Sequence, residues 1–157
     1  MRNWTQLLAL FIGLQLSAQD AEWTSIKDIN PFIGTGGHGH THPSAQAPFG
    51  MIQLGPNTRY DGWDGCSGYH YTDSAMYGFT CTHLSGTGVS DYGDLLMLPY
   101  SSPTKEGDHI KFFKEDEHAQ AGYYACILDD GTRIEATAGD RTGILRIRFG
   151  EGSAPGI

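Results

Sequence analysis

The sequence predicts a mainly β protein, an antiparallel sandwich, on three observations. Apolar residues come in short stretches cut by glycine, and no stretch holds a helical period over three turns. Residues 143–149 (GILRIRF) alternate Ile144, Arg146 and Arg148 with Leu145, Ile147 and Phe149, the period of two of a strand with one covered face. Asp129-Asp130-Gly131 joins two apolar stretches as a hairpin turn does, its glycine free to take positive φ.

In chain order the predicted strands are 51–54 (MIQL), 77–82 (YGFTCT), 94–98 (DLLML), 110–113 (IKFF), 123–128 (YYACIL), 134–137 (IEAT) and 143–149. Ahead of them lies a different pattern: Arg2, the apolar run 7–16 (LLALFIGLQL), then Ser17-Ala18-Gln19. This is the pattern of a secretory signal peptide, too short to span a bilayer, so residues 1–19 are set apart from the fold and 20–157 read as one domain. Export to a secreted or periplasmic location follows from that assignment. It also puts Cys66, Cys81 and Cys126 where a disulfide is permitted; their odd number and lack of CxxC spacing favour buried small hydrophobes over a bridge or a zinc site.

Composition narrows the function. With 10 Lys+Arg against 18 Asp+Glu and a net charge of −8, the surface repels phosphate backbones, so no nucleic-acid partner is expected. Hydrophobic residues at 39% and aromatics at 11% exclude a disordered chain. Glycine, 22 of 157, runs at about twice its usual share of about 7%, with no collagen period, so it serves turns and loops.

Three loops collect the unusual chemistry: 34–42 (GTGGHGHTH), 60–71 (YDGWDGCSGYHY) and 83–94 (HLSGTGVSDYGD). His38, His40 and His42 alternate, so on an extended backbone they would share one side as transition-metal ligands, the basis of a small-metalloenzyme reading. The competing reading has them bonding carbonyls and carboxylates while packing the loops. Asp61, Asp64, Asp91 and Asp94 offer carboxyls for glycosidic hydrolysis, although Asp beside Gly is more often turn chemistry. Trp63, Tyr69, Tyr71 and Tyr92 mixed with Asp, His and Ser suit sugars, whose C–H faces lie on rings and whose hydroxyls pair with polar groups; the same rings could instead fill the core. GTGGHG opens no helix and lacks the Lys-Ser/Thr of a phosphate loop, and no nucleophile elbow is present.

Taken together, NPFIGTGGHGHT at 30–41, APFGM at 47–51, DGWDGCSGYHY at 61–71, THLSGTG at 82–88 and DYGD at 91–94 resemble, in order and spacing from about residue 29 to 141, the amino-terminal domain of the glycoside hydrolase family 92 α-mannosidases. The resemblance implies a secreted, calcium-dependent, exo-acting enzyme that hydrolyses terminal α-linked mannose from glycans with inversion. It implies an amino-terminal β-sandwich followed by a carboxy-terminal helical (α/α)6 domain carrying most of the acid, base and calcium ligands. On that basis the chain is an incomplete sandwich, a fragment inactive alone, with no catalytic residue and no metal ligand of its own. Its partners are mannose-containing glycans and the helical catalytic domain, and a free-standing carbohydrate-binding module is the alternative. The matching pocket positions are Gly36, Gly37, His38, Trp63, Asp64, Gly65 and Cys66, with Trp63 beside the sugar. Cys81 where a His is expected, Ser44-Ala45-Gln46 and Leu145 depart from the family pattern.

Overall fold

The structure is a computed structural model that describes residues 25–102, 105 and 108–157; the expected signal peptide lies outside the described residues. Among the described residues there are nine short strands: β1 (Ala45–Gln46), β2 (Gln53–Asn57), β3 (Ala75–Met76), β4 (Gly78–Thr80), β5 (Ile110–Lys111), β6 (His118–Gln120), β7 (Tyr123–Ile127), β8 (Arg133–Ala138) and β9 (Gly143–Arg148). Single 3-10 turns occur at Ile26–Asp28 and Lys114–Asp116. All strand pairs are antiparallel, as predicted, in a sheet of order β1-β2-β4, a β3-β5 pair and a four-stranded sheet β6-β7-β8-β9.

The three-stranded sheet packs on the four-stranded one, β1 and β2 against β7, β8 and β9. Between them lie Ala45, Leu54, Phe79, Tyr124, Cys126, Ile134 and Ala136, with Met76, Phe112 and Leu128 in the same cluster. Phe79 of β4 meets Tyr124 of β7 edge-on at 6.0 Å between centroids, so aromatic contact joins the two layers. In β9, Leu145 and Ile147 are half-buried while Ile144, Arg146 and Arg148 are exposed, which is the expected alternation. On the outer face Glu135 accepts from Arg146 Nε at 2.7 Å and Tyr123 OH at 2.9 Å across adjacent strands. The Arg146 hydrogen bond, ahead of the Tyr123 one, pulls the Glu135 carboxyl down to about 2.

The turn at 129–131 closes as predicted: Gly131 takes φ +81° and donates to Leu128 O at 2.9 Å. Two expectations need correction. Residues 94–98 form no strand; only Met97 pairs, in a single bridge with Phe79. The approach is too close to propagate, since a Cβ on Gly78 would sit 2.6 Å from Met97 O. The strand expected to end at Leu54 instead runs on through Gly55 and Pro56. Phe79 O already accepts from Met97 N–H at 2.9 Å, so Pro56, opposite Phe79, faces no free acceptor on β4, and β1 has already ended on its other side. No ladder bond is therefore lost to the missing N–H. All three cysteines are free, with Cys66 and Cys126 buried, as the reading of small hydrophobes expects.

Candidate functional site

Hydrogen bonds lock the three glycine-rich loops together. In 34–42, Gly34 and Gly37 take φ +82° and +59°, and Gly39 N–H donates to Gly36 O at 3.0 Å. A Cβ on Gly39 would overlap Gly34 O, so only glycine permits this fold of the loop. Tyr71 N–H donates to Thr35 O at 2.9 Å and Ser67 Oγ to Thr41 O at 2.8 Å, tying this loop to 60–71. His70 Nε2 donates to Gly37 O at 3.0 Å, which leaves Nδ1 to accept from Thr72. The third loop joins through Gly86 N–H to His40 O at 2.7 Å.

A two-residue clamp supports the centre of 60–71. Arg59 holds Asp73 with two parallel bonds of 2.9 Å and donates to Asp64 O at 3.1 Å, while Thr58 Oγ1 donates to Asp73 at 2.8 Å and accepts from His70 N. Such bidentate pairs fix orientation as well as distance. The Asp73 hydrogen bond, opposed by partial burial, raises the guanidinium further above its ordinary range.

The three alternating histidines do not converge. His38 is exposed and pairs through Nδ1 with Asp64 Oδ1 at 2.8 Å, a contact that holds the Asp64 carboxyl below its ordinary range. His40 meets the Trp63 ring edge-on at 4.8 Å, and His42 stacks on His83 at 4.6 Å. Among the described residues no three His, Cys, Asp or Glu side chains come together as metal ligands. The glycines that let each imidazole turn separately explain why alternation did not produce one shared face. The carboxylates serve the loops too: Asp64 pairs with His38, Asp91 accepts from Tyr92 N at 2.8 Å and Asp94 from Thr82 Oγ1 at 3.3 Å.

The pocket positions separate into two levels. Gly37, His38 and Trp63 are exposed, with Gly36 and Asp64 half-buried beside them, whereas Gly65 and Cys66 are buried beneath. Burial pushes the Cys66 thiol up. Cys66 lines a small cleft of about 70 Å³ with Asn57, His83, Ser90 and Tyr92. Tyr92 takes φ +70°, a left-handed conformation that a tyrosine rarely adopts. Of the two readings open for the aromatic cluster, Tyr69 takes the core one: it is wholly buried and bonded to Glu117, so it packs the loop rather than meeting a ligand. Arg59, Asp73 and Glu117, which hold the site, escaped the sequence because their partners lie 14 to 48 residues away without a motif.

Like Tyr71 and Tyr92 of the same loops, Trp63 is exposed, at 62%, yet it is braced. His40 holds one edge, and the backbone of Gly88, at φ +100°, lies so close that a Cβ there would overlap the indole and sit 2.7 Å from its Cη2. Gly88→Ala is therefore expected to displace the indole and to cost about 2 to 4 kcal/mol from left-handed strain plus overpacking. Urea unfolding checks this, and a loss below about 1 kcal/mol would show that the ring is free to move aside.

A family model described as the glycosyl hydrolase family 92 N-terminal domain matches residues 28–157. Among solved structures, a family GH92 α-mannosidase from Bacteroides thetaiotaomicron in complex with mannoimidazole is similar, with TM-score 0.76 and 38% identity over 80% of this chain and 18% of its own. A family GH92 inverting mannosidase from Bacteroides thetaiotaomicron VPI-5482 is similar at TM-score 0.74 and 28% identity, over 83% of this chain and 18% of its own. A curated protein of Arthroderma benhamiae, named an uncharacterized secreted glycosidase, is 27% identical over 162 residues, 97% of this chain and 21% of its own length. The chain thus spans about a fifth of the length of these relatives.

Proposed function

Because the chain belongs to the glycosyl hydrolase family 92 N-terminal domain family, we propose that it is the β-sandwich part of an exported α-mannoside hydrolase and that its three loops form one wall of the pocket for a terminal mannose. The braced, exposed indole of Trp63 is the observation that carries this reading. A sugar lays its C–H face on such a ring, and a ring already held in place loses little freedom on binding. His38, paired with Asp64, and the backbone around Gly36 and Gly37 supply polar groups beside it. Gly65 and Cys66 shape the floor.

In the proposed enzyme the acid that protonates the leaving oxygen and the base that activates water act from outside this chain. Asp64, Asp91 and Asp94 are each engaged in closing the loops, which supports that assignment. Inversion, as in the similar inverting mannosidase, would require those carboxyls about 6.5 to 9.5 Å apart with room for water between them. Among the described residues no three carboxylates come together to offer calcium the charged oxygen ligands it takes. A calcium requirement would rest on ligands elsewhere.

Titration of the purified chain with methyl α-mannoside, followed by amide chemical shifts, tests the reading. Weak saturable shifts confined to the three loops and reduced at least tenfold in affinity by Trp63→Ala are expected, with no turnover of aryl α-mannosides in calcium. Turnover by the chain alone would refute the division of labour, and loop shifts indifferent to Trp63→Ala would refute the sugar wall. Tight binding without turnover would favour the free-standing carbohydrate-binding module, which the same braced indole also suits.

A further inference from the structure

Away from the three loops, residues 47–50 make a tight turn closed by Gly50 N–H donating to Ala47 O at 2.9 Å. The third position of that turn is Phe49, at φ +60°. Turns with positive φ at this position favour glycine or asparagine, and a bulky residue there is disfavoured. The Phe49 ring gains nothing from its own fold in exchange, since it is fully exposed at 105%. Beside it runs a groove of about 550 Å³ whose walls include Ile26, Ala47, Pro48, Ala121 and Ala138, and among the described residues no charged side chain lines it. Met51, next to the turn and tied to the β8–β9 connection through Asp140 O at 2.7 Å, is also exposed, as is Ile26. On a chain of net charge −8, an uncharged apolar groove beside a protruding aromatic in a disfavoured conformation marks a surface built for contact.

We infer that the Phe49 turn and its groove are the seat for an apolar segment of the polypeptide that makes up the other four-fifths of the family relatives. The length outside this region carries the choice of occupant: the relatives extend about five times as far as the part this chain matches. Phe49 then acts as a central aromatic anchor, the kind of residue that dominates interface energetics, with Pro48 and Ile26 as its apolar surround. The inference rests on the proposed reading of the chain as one part of a larger hydrolase, but it concerns assembly and not the sugar.

The test joins this chain to the remaining four-fifths of the Bacteroides thetaiotaomicron α-mannosidase that is 38% identical to it, and compares that chimera with the chain alone. In the chain alone, Phe49→Gly relieves the left-handed residue and is expected to leave the melting temperature unchanged or slightly higher. In the chimera the same substitution is expected to lower it by about 5 °C or to split one transition into two. Equal effects in both settings, or a chimera whose two parts melt independently from the start, would overturn the inference. So would a concentration-dependent dimer of the chain alone that Phe49→Gly dissolves, since the groove would then seat a second copy. Trp63→Ala in the chimera is expected to reduce mannoside turnover without moving the melt, so failure of the sugar wall and failure of the docking seat read out separately.

Discussion

Glu117→Ala is expected to destabilise the domain by about 3 to 5 kcal/mol, because it leaves a charge and two hydroxyls stranded in the interior. The Glu117 carboxylate is almost wholly buried at 1% exposure and accepts from Tyr69 OH at 2.9 Å, Tyr124 OH at 2.7 Å and Lys114 Nζ at 2.9 Å. Lys114 in turn lies over the rings of Phe112, Tyr69 and Tyr71 at 4.5, 4.7 and 5.1 Å. Burial, with the nearby carboxylate adding to it, pushes both phenols well above their ordinary range, so they remain neutral donors. Glu117→Gln keeps the shape and an acceptor while losing the charge, and about 1 to 3 kcal/mol is expected for it. Urea midpoints at constant m separate the two variants. Tyr124 belongs to the sheet and Tyr69 to the site loop, so the alanine variant should also speed hydrogen exchange of the 60–71 amides. A loss near zero for both variants would mean that water replaces the carboxylate.

That network shows where the sequence stops being legible. The period of two in 143–149, the Asp-Asp-Gly turn and the loop motifs report local rules, and the structure follows them. Residues 45–46, 75–76 and 118–120 carry too few side chains for any period to show, and they pair only because tertiary packing brings a partner alongside. The site divides in the same way. Trp63, His38 and Asp64 stand in a recognisable motif, whereas the groups that hold them, Arg59 on Asp73 and Tyr69 on Glu117, depend on distant parts of the chain meeting. Residue type alone leaves Tyr69 open between a ligand-facing and a core ring; the burial of its ring and its bond to Glu117 decide for the core.

Acid is expected to unfold this domain earlier than its carboxylates alone would dictate. His42 and His83 stack as a pair at 4.6 Å, with His83 fully enclosed: Nδ1 donates to Ser67 O at 2.8 Å, Nε2 meets Thr80 Oγ1 at 3.2 Å and its backbone N–H donates to the Gln53 side chain at 2.8 Å. Burial, and for His42 the neighbouring imidazole, lowers the pair to about 3 for His42 and about 4 for His83. Between the unfolded value near 6.5 and these folded values, the unfolded chain binds more protons than the folded one, so stability falls as pH falls. Each imidazole contributes a slope of about 1.4 kcal/mol per pH unit where its folded form stays neutral and its unfolded form is charged. Stability should therefore be complete above about pH 7 and decline steeply from pH 6 to pH 4, before Glu135, whose folded carboxyl titrates at about 2, contributes its own loss. His42→Phe keeps a ring on His83 and removes a buried Nδ1 that has no partner, so near-neutral stability at pH 7 and a shallower decline toward pH 5 are expected. Denaturant midpoints at pH 7.5, 6.5, 5.5 and 4.5 for both proteins provide the measurement. Parallel curves would show that the stacked pair does not govern the acid limb.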